Sequence, residues 1–89
     1  MVTFIILLNV KRGAVTETAE KLVEMGSVTE VYSVTGKYDL VALVRTKSND
    51  DVAELVTHQL STIDAIEKTD TMLAFNTYSQ HDLESMFSM

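Results

Sequence analysis

The chain has no cysteine and no proline, only three glycines, and seven Lys and Arg against 13 Asp and Glu in 89 residues. Without cysteine there is no disulfide, no thiolate metal site and no thiol nucleophile. A metal-chaperone role, which normally needs a cysteine pair, is disfavoured for the same reason. The few cations are scattered and the formal net charge is −6. Duplex DNA binding needs clustered cations that displace phosphate counterions, and a membrane surface needs a basic amphipathic face. Neither nucleic acid nor membrane is therefore an expected direct partner. A long hydrophobic run is missing too. The apolar stretch Phe4-Ile5-Ile6-Leu7-Leu8 is far too short to span a bilayer. Positive charge follows it at Lys11 and Arg12, whereas a signal peptide places charge before the apolar run. A cytoplasmic protein is expected.

What is present is a clear succession of patterns. Residues 2–10 are apolar on both faces, with Phe4, Ile6 and Leu8 on one and Ile5 and Leu7 on the other. A strand with one wet face alternates, so this strand is expected to be covered on both sides. Gly13 breaks it. Residues 14–25 have helical spacing at Val15, Ala19, Leu22 and Val23, with Gly26 where a C-terminal cap belongs. Residues 28–35 and 39–46 read as two strands joined through Thr35-Gly36-Lys37-Tyr38-Asp39. Gly36-Lys37 fits the centre of a type II′ turn, which demands positive φ at its first central residue. Ser48 or Asn49 can cap a second helix over 51–61, with Asp50 and Asp51 favourable in its first turn. Val52, Leu55, Val56, Gln59 and Leu60 are expected on its buried face, and His58 on its solvent side. Residues 66–75 form a last strand that places Glu67, Thr69, Thr71, Leu73 and Phe75 on one face. A short helix over 80–89 carries Leu83, Met86 and Phe87 at helical spacing. The expected division is one domain over 1–78 and a tail over 79–89.

The order strand–helix–strand–strand–helix–strand is the α+β, ferredoxin-like βαββαβ arrangement. Right-handed crossovers place both helices on one face of a four-stranded antiparallel sheet. The other face then carries Leu, Val and Ile side chains that nothing in the sequence covers. Burying several of them is worth about 5–10 kcal/mol, at roughly 1.5–3 kcal/mol for each. That rivals the stability of a small domain. A dimer with two sheets packed face to face, a dimeric α/β barrel or sandwich, is the expected outcome.

The pattern Val34-Thr35-Gly36-Lys37-Tyr38-Asp39-Leu40, then a helix, then Ile66-Glu67-Lys68-Thr69-Asp70-Thr71, resembles the C-terminal ligand-binding domain of the Lrp/AsnC transcription regulators, the RAM domain. The resemblance runs from Val2 to about Thr77. One departure is Ser61-Thr62-Ile63-Asp64-Ala65, where the family usually has a Pro-Gly turn. The first residues already begin a strand, so a stand-alone RAM domain without a helix-turn-helix domain is expected. The resemblance implies homodimers that assemble further, commonly four dimers in an octamer. It also implies an amino-acid effector bound between neighbouring dimers, with no cofactor and no metal. A full-length Lrp/AsnC regulator is the macromolecular partner it implies, through mixed assembly.

Carried onto this sequence, the resemblance makes Val34, Thr35, Gly36, Tyr38, Asp39, Thr69 and Thr71 the ligand-binding residues. Asp39 can pair with an α-ammonium. Backbone N–H groups near Gly36 and Tyr38 can hold an α-carboxylate. Thr69 and Thr71 can hydrogen-bond the same polar end, and Val34 and Thr35 shape the wall. Tyr38 is divided between packing the ligand and packing the next dimer. Two other functions compete. One is a small ferredoxin-like enzyme of the cofactor-free monooxygenase type, against which stands the absence of a nucleophile–base pair around His58 or His81. The other is a purely structural oligomerisation protein. A regulatory, non-enzymatic domain is the reading preferred.

Overall fold

Strand β1 (Val2–Val10) alternates strictly, with Phe4, Ile6, Leu8 and Val10 buried and the residues between them half-buried. The sheet order is β2-β3-β1-β4, so β1 is central, with one face in the core and Ile5 and Leu7 on the other face half-buried. The computed structural model describes residues 1–78 and Gln80. Helix α1 (Val15–Val23) follows β1. Strands β2 (Val28–Ser33) and β3 (Leu40–Thr46) pair antiparallel. Helix α2 (Asn49–Glu54) continues through a wide turn over Leu55–Gln59 and a tight turn over Leu60–Thr62. Strand β4 (Ile66–Ala74) returns beside β1. This is the expected four-stranded antiparallel, ferredoxin-like architecture. The short helix expected over 80–89 lies, Gln80 apart, outside the described residues.

The helical layer covers one side of the sheet. Phe4, Ile6 and Leu8 of β1 and Leu40, Ala42 and Val44 of β3 join Leu22, Val52, Leu55, Leu60 and Ile63 in a single buried cluster. The opposite side presents Ile5, Leu7, Val41 and Leu43, all half-buried. Tyr32 at 46% and Met72 at 45% exposure extend that side onto the edge strands.

Several local expectations are corrected. Helix α1 ends at Val23, and Gly26 has no positive φ, so it does not cap the helix. Thr18, 1% exposed, takes the core place expected of Val23, which is 50% exposed. The interval Thr18–Leu22 keeps helical spacing, and the methyl of threonine packs like that of valine. In the second helix Gln59 is exposed rather than core-facing. The N–H of Leu60 donates to the carbonyl of Leu55, five residues back. That wide turn brings Leu55 and Leu60 to the same face and rotates Gln59 out. Ser48 is the N-cap, accepting from the Asp51 N–H at 3.4 Å. His58 is exposed as expected and pairs with Glu54 at 3.5 Å.

Strand β4 also departs from simple alternation. Thr69 pairs with Leu8, Thr71 with Ile6 and Leu73 with Phe4, so these three lie on the helix side. The register shifts between Asn9 and Val10, and Val10 meets Ile66. This irregularity puts Ile66, not Glu67, on the helix side at that end. The strand stops at Ala74, and Phe75 beyond it is 87% exposed.

Candidate ligand-binding site

Ser33 pairs with Leu40, and the last ladder bond runs from the Val34 N–H to the Asp39 carbonyl at 3.1 Å. Residues 35–37 beyond it form bends, so the connection is a loop over 34–39 rather than the expected two-residue type II′ turn. The centre of symmetry still falls at Gly36-Lys37. Gly36 has φ +106°, which only glycine adopts without strain. Nothing lies within 4 Å of where its Cβ would be, so the backbone torsion, not crowding, selects glycine here.

The loop is fastened at two places. At the end of β1, Asn9 Nδ2 donates to the Lys37 carbonyl at 2.8 Å and lies 3.5 Å from Asp39 Oδ2. The Val10 N–H donates to the same Asp39 oxygen at 2.9 Å. A side-chain carboxylate thus serves a backbone donor where the β1–β3 ladder runs out. Asp39, expected to face an ammonium, is engaged in holding the loop to β1. Asn9 had no signal in the sequence, since one polar residue at a strand end is ordinary. At the second place the Tyr38 hydroxyl donates to Asp70 Oδ2. The Lys68 ammonium stands 6.0 Å from the centre of the Tyr38 ring, a cation–π distance. The hydrogen bond to Asp70, then burial, then the charge of Asp70 raise the Tyr38 hydroxyl above the ordinary phenol range.

Asp70 pairs with Leu7, on the open side of the sheet. The loop therefore reaches β4 from the open side, while Thr69 and Thr71 carry their hydroxyls on the helix side. Val34, Thr35, Gly36, Tyr38 and Asp39 are brought together. The two threonines are brought together with each other, but not with the loop of the same chain.

Thr69 belongs instead to a groove of about 350 Å³ on the helix side of β4. Its aliphatic walls are Val56 and Leu60 from the second helical stretch with Ile63 and Ile66. Its polar lining is Ser61, Asp64 and Thr69. The turn that carries Asp64 is built without the usual Pro-Gly. The Ile63 N–H donates to the Leu60 carbonyl at 3.0 Å, and the Ile66 N–H to the Ile63 carbonyl at 3.1 Å. The Lys11 N–H donates to the Ala65 carbonyl at 2.8 Å and ties this turn to β1. Nothing in the order of residues 61–65, beyond the missing Pro-Gly, marks this segment as part of a groove. Among the described residues no group of three or more His, Cys, Asp or Glu could hold a metal ion, and no helix is long and apolar enough to cross a membrane.

Residues 3–83 match the family model of the Lrp/AsnC ligand binding domain. Over 75 residues the chain is 35% identical to the HTH-type transcriptional regulator FL11 of Pyrococcus furiosus, covering 84% of this chain and 49% of the regulator. The chain thus spans about half the length of the curated relatives it first matches. Among solved structures, TTHA0845 from Thermus thermophilus is 40% identical with a TM-score of 0.83, covering 90% of this chain and all of that one. A Neisseria meningitidis transcriptional regulator, NMB0573, solved as its L-Met complex, shares the fold at 11% identity and a TM-score of 0.80. It is matched over 89% of this chain and 53% of its own. The matched family is a regulatory ligand-binding domain, and its named relatives are transcription regulators. By the match of the family model over residues 3–83, the chain belongs to the Lrp/AsnC ligand-binding domain family.

Proposed function

We propose that this domain binds a free amino acid as a regulatory effector, and that a second copy of the chain completes the site. The observation that carries the proposal is the division of the site residues between two sides of an edge strand. The loop 34–39 stands on the open side and at the end of β1, and Thr69 and Thr71 stand on the helix side of β4. A loop from one copy laid against β4 of another unites them. In that arrangement backbone N–H groups near Gly36 and Tyr38 hold the ligand carboxylate. Val34 and Thr35 shape the wall, and Thr69 and Thr71 hydrogen-bond the polar end. Asp39 and Tyr38 hold the loop in position, through Val10 and Asp70.

The open sheet side supplies the reason to assemble. Ile5, Leu7, Val41 and Leu43 are only half-buried in one chain, with Tyr32 and Met72 exposed beside them. A second sheet laid over them removes apolar area from water at about 25 cal/mol per Å². In the homodimer so formed, and in the ring of four dimers that the family resemblance implies, loops and β4 edges of different copies would meet. The L-methionine complex of the Neisseria relative and the family match support an amino acid as the ligand class. A full-length Lrp/AsnC regulator is the expected macromolecular partner, and a cytoplasmic location agrees with both.

Thermal denaturation in the presence of each of the twenty amino acids tests the proposal. A ligand at about 100 times its Kd stabilises by about 2.7 kcal/mol, which is read as a rise in Tm. At least one amino acid is expected to give that rise. No shift from any of them at millimolar concentration would contradict the effector role.

A further inference from the structure

We propose that Lys68 and Asp70 are positioning residues of the effector site: from the open side of β4 they hold Tyr38, and through it the loop backbone that receives the ligand's carboxylate. The inference rests on the amino-acid reading above and adds which residues outside the loop set its affinity. Neighbouring residues of a strand point to opposite sides of the sheet. Thr69 pairs with Leu8 and Thr71 with Ile6 on the helix side, whereas Lys68 pairs with Asn9 and Asp70 with Leu7 on the open side. Residues 68–71 therefore serve two purposes. The hydroxyls face one way, and a cation and a carboxylate face the other. In the assembly proposed above, the threonines meet a neighbour's loop while the charged pair holds the chain's own.

Tyr38 joins the two charges. Its hydroxyl donates to Asp70 Oδ2, and the Lys68 ammonium stands 6.0 Å from the centre of its ring. Both Tyr38 and Asp70 are half-buried. A carboxylate set beside the apolar side chain of Leu7 needs a fixed donor, and the phenol supplies it. Among the described residues this is the one hydrogen bond from the loop to β4. The other fastenings run to β1. Asn9 Nδ2 donates to the Lys37 carbonyl, the Val10 N–H to Asp39 Oδ2, and the Asp39 N–H to the Leu8 carbonyl at 2.9 Å. Residues 37 and 39 are thus drawn toward β1, and residue 38 between them is drawn past it to β4. Among the described residues no backbone–backbone hydrogen bond engages the N–H of Gly36 or Tyr38, so these donors are left for a carboxylate. A loop that holds its competent shape for only part of the time binds with an affinity reduced by that fraction. Losing the anchor on β4 therefore weakens binding without removing any group that touches the ligand.

Calorimetric titration of the full chain tests this, with each of the twenty L-amino acids as probe. The variants are Tyr38→Phe, Asp70→Ala, Asp70→Asn, Lys68→Met and the double variant Tyr38→Phe with Asp70→Ala. Tyr38→Phe and Asp70→Ala should each bind about tenfold more weakly than wild type, the loss of one hydrogen bond to a charged group. The double variant should bind no more weakly than either single one, because both remove the same contact. Asp70→Asn keeps an acceptor oxygen and should stay within about threefold of wild type. Lys68→Met should lose about two- to fivefold. The Val34 and Asp39 amides, whose hydrogen bonds close the loop, should exchange with solvent several-fold faster in Asp70→Ala and in Tyr38→Phe. Tyr38→Phe keeps the ring and serves as the test should Asp70→Ala fail to fold. Affinities within twofold of wild type, additive losses in the double variant, or faster exchange with unchanged affinity would each overturn the positioning role and leave the amino-acid reading standing. If no amino acid binds wild type, both are overturned.

Discussion

Asp39 is the acceptor that the last donor of β1 depends on. Its Oδ2 takes the Val10 N–H at 2.9 Å and lies 3.5 Å from Asn9 Nδ2. Asp39→Ala leaves a partly buried backbone donor unpaired, a loss of about 1–3 kcal/mol. Asp39→Asn keeps an acceptor oxygen and is expected to lose less than half as much. Urea denaturation of the two variants checks this, and equal losses would contradict the role given to the carboxylate. The phenols offer a second residue-scale prediction. Tyr38 is raised by its hydrogen bond to Asp70, by burial and by the Asp70 charge; Tyr32 is raised in the same way through Glu30. A folded-state pKa above the unfolded one means that each contact contributes fully below about pH 10 and is lost as pH rises through the raised value. Spectroscopic titration of tyrosinate should therefore show Tyr38 and Tyr32 ionising late. Tyr38→Phe should remove one late-titrating group. Loss of a group that ionises at the ordinary value would contradict the contact with Asp70.

The elements differ in how far the amino-acid order discloses them. In β1 the double apolar pattern predicts a strand covered on both sides; the strand has the expected bounds and a buried helix-side face, while Ile5 and Leu7 on its other face are half-buried in the single chain. The helix cap at Ser48 and the exposure of His58 are equally legible, because both depend on neighbours in sequence. The wide turn at Leu55–Gln59 is not. A regular period places Gln59 with Leu55 and Val56, and only the depth of the core at Leu60 decides for a five-residue interval. Leu60→Ala is accordingly expected to cost about 2–5 kcal/mol, and Gln59→Ala no more than about 0.5 kcal/mol. Equal costs in denaturant titration would restore the regular helix. At the candidate site, Gly36 was readable from the turn chemistry it imposes. The two-sidedness of the remaining residues was not. It depends on the register of β4 against β1 and on the shift at Asn9 and Val10, both set by long-range pairing. Asn9, which fastens the loop to β1, carried no local pattern that marks it.

At the scale of the whole molecule two features meet: no element among the described residues covers the apolar side of the sheet, and the candidate site residues lie on both sides of its edge. The proposed function therefore predicts that assembly and ligand binding are coupled. Leu43, paired with Ile5 in the middle of the open side, is the place to break the assembly without touching the loop, β4 or the helical core. A charge there cannot be buried in a sheet-to-sheet interface without a large penalty, whereas in a single chain it reaches water. Leu43→Lys is thus expected to yield a folded monomer. The most direct measurement is amino-acid binding by wild type and by Leu43→Lys, with the mass of each species determined by sedimentation in the same buffer. The account predicts that wild type is a dimer or larger and binds, and that the folded monomeric variant binds at least tenfold more weakly. A wild-type protein that is a monomer and binds, or a monomeric variant that binds as tightly as the wild-type assembly, would contradict it.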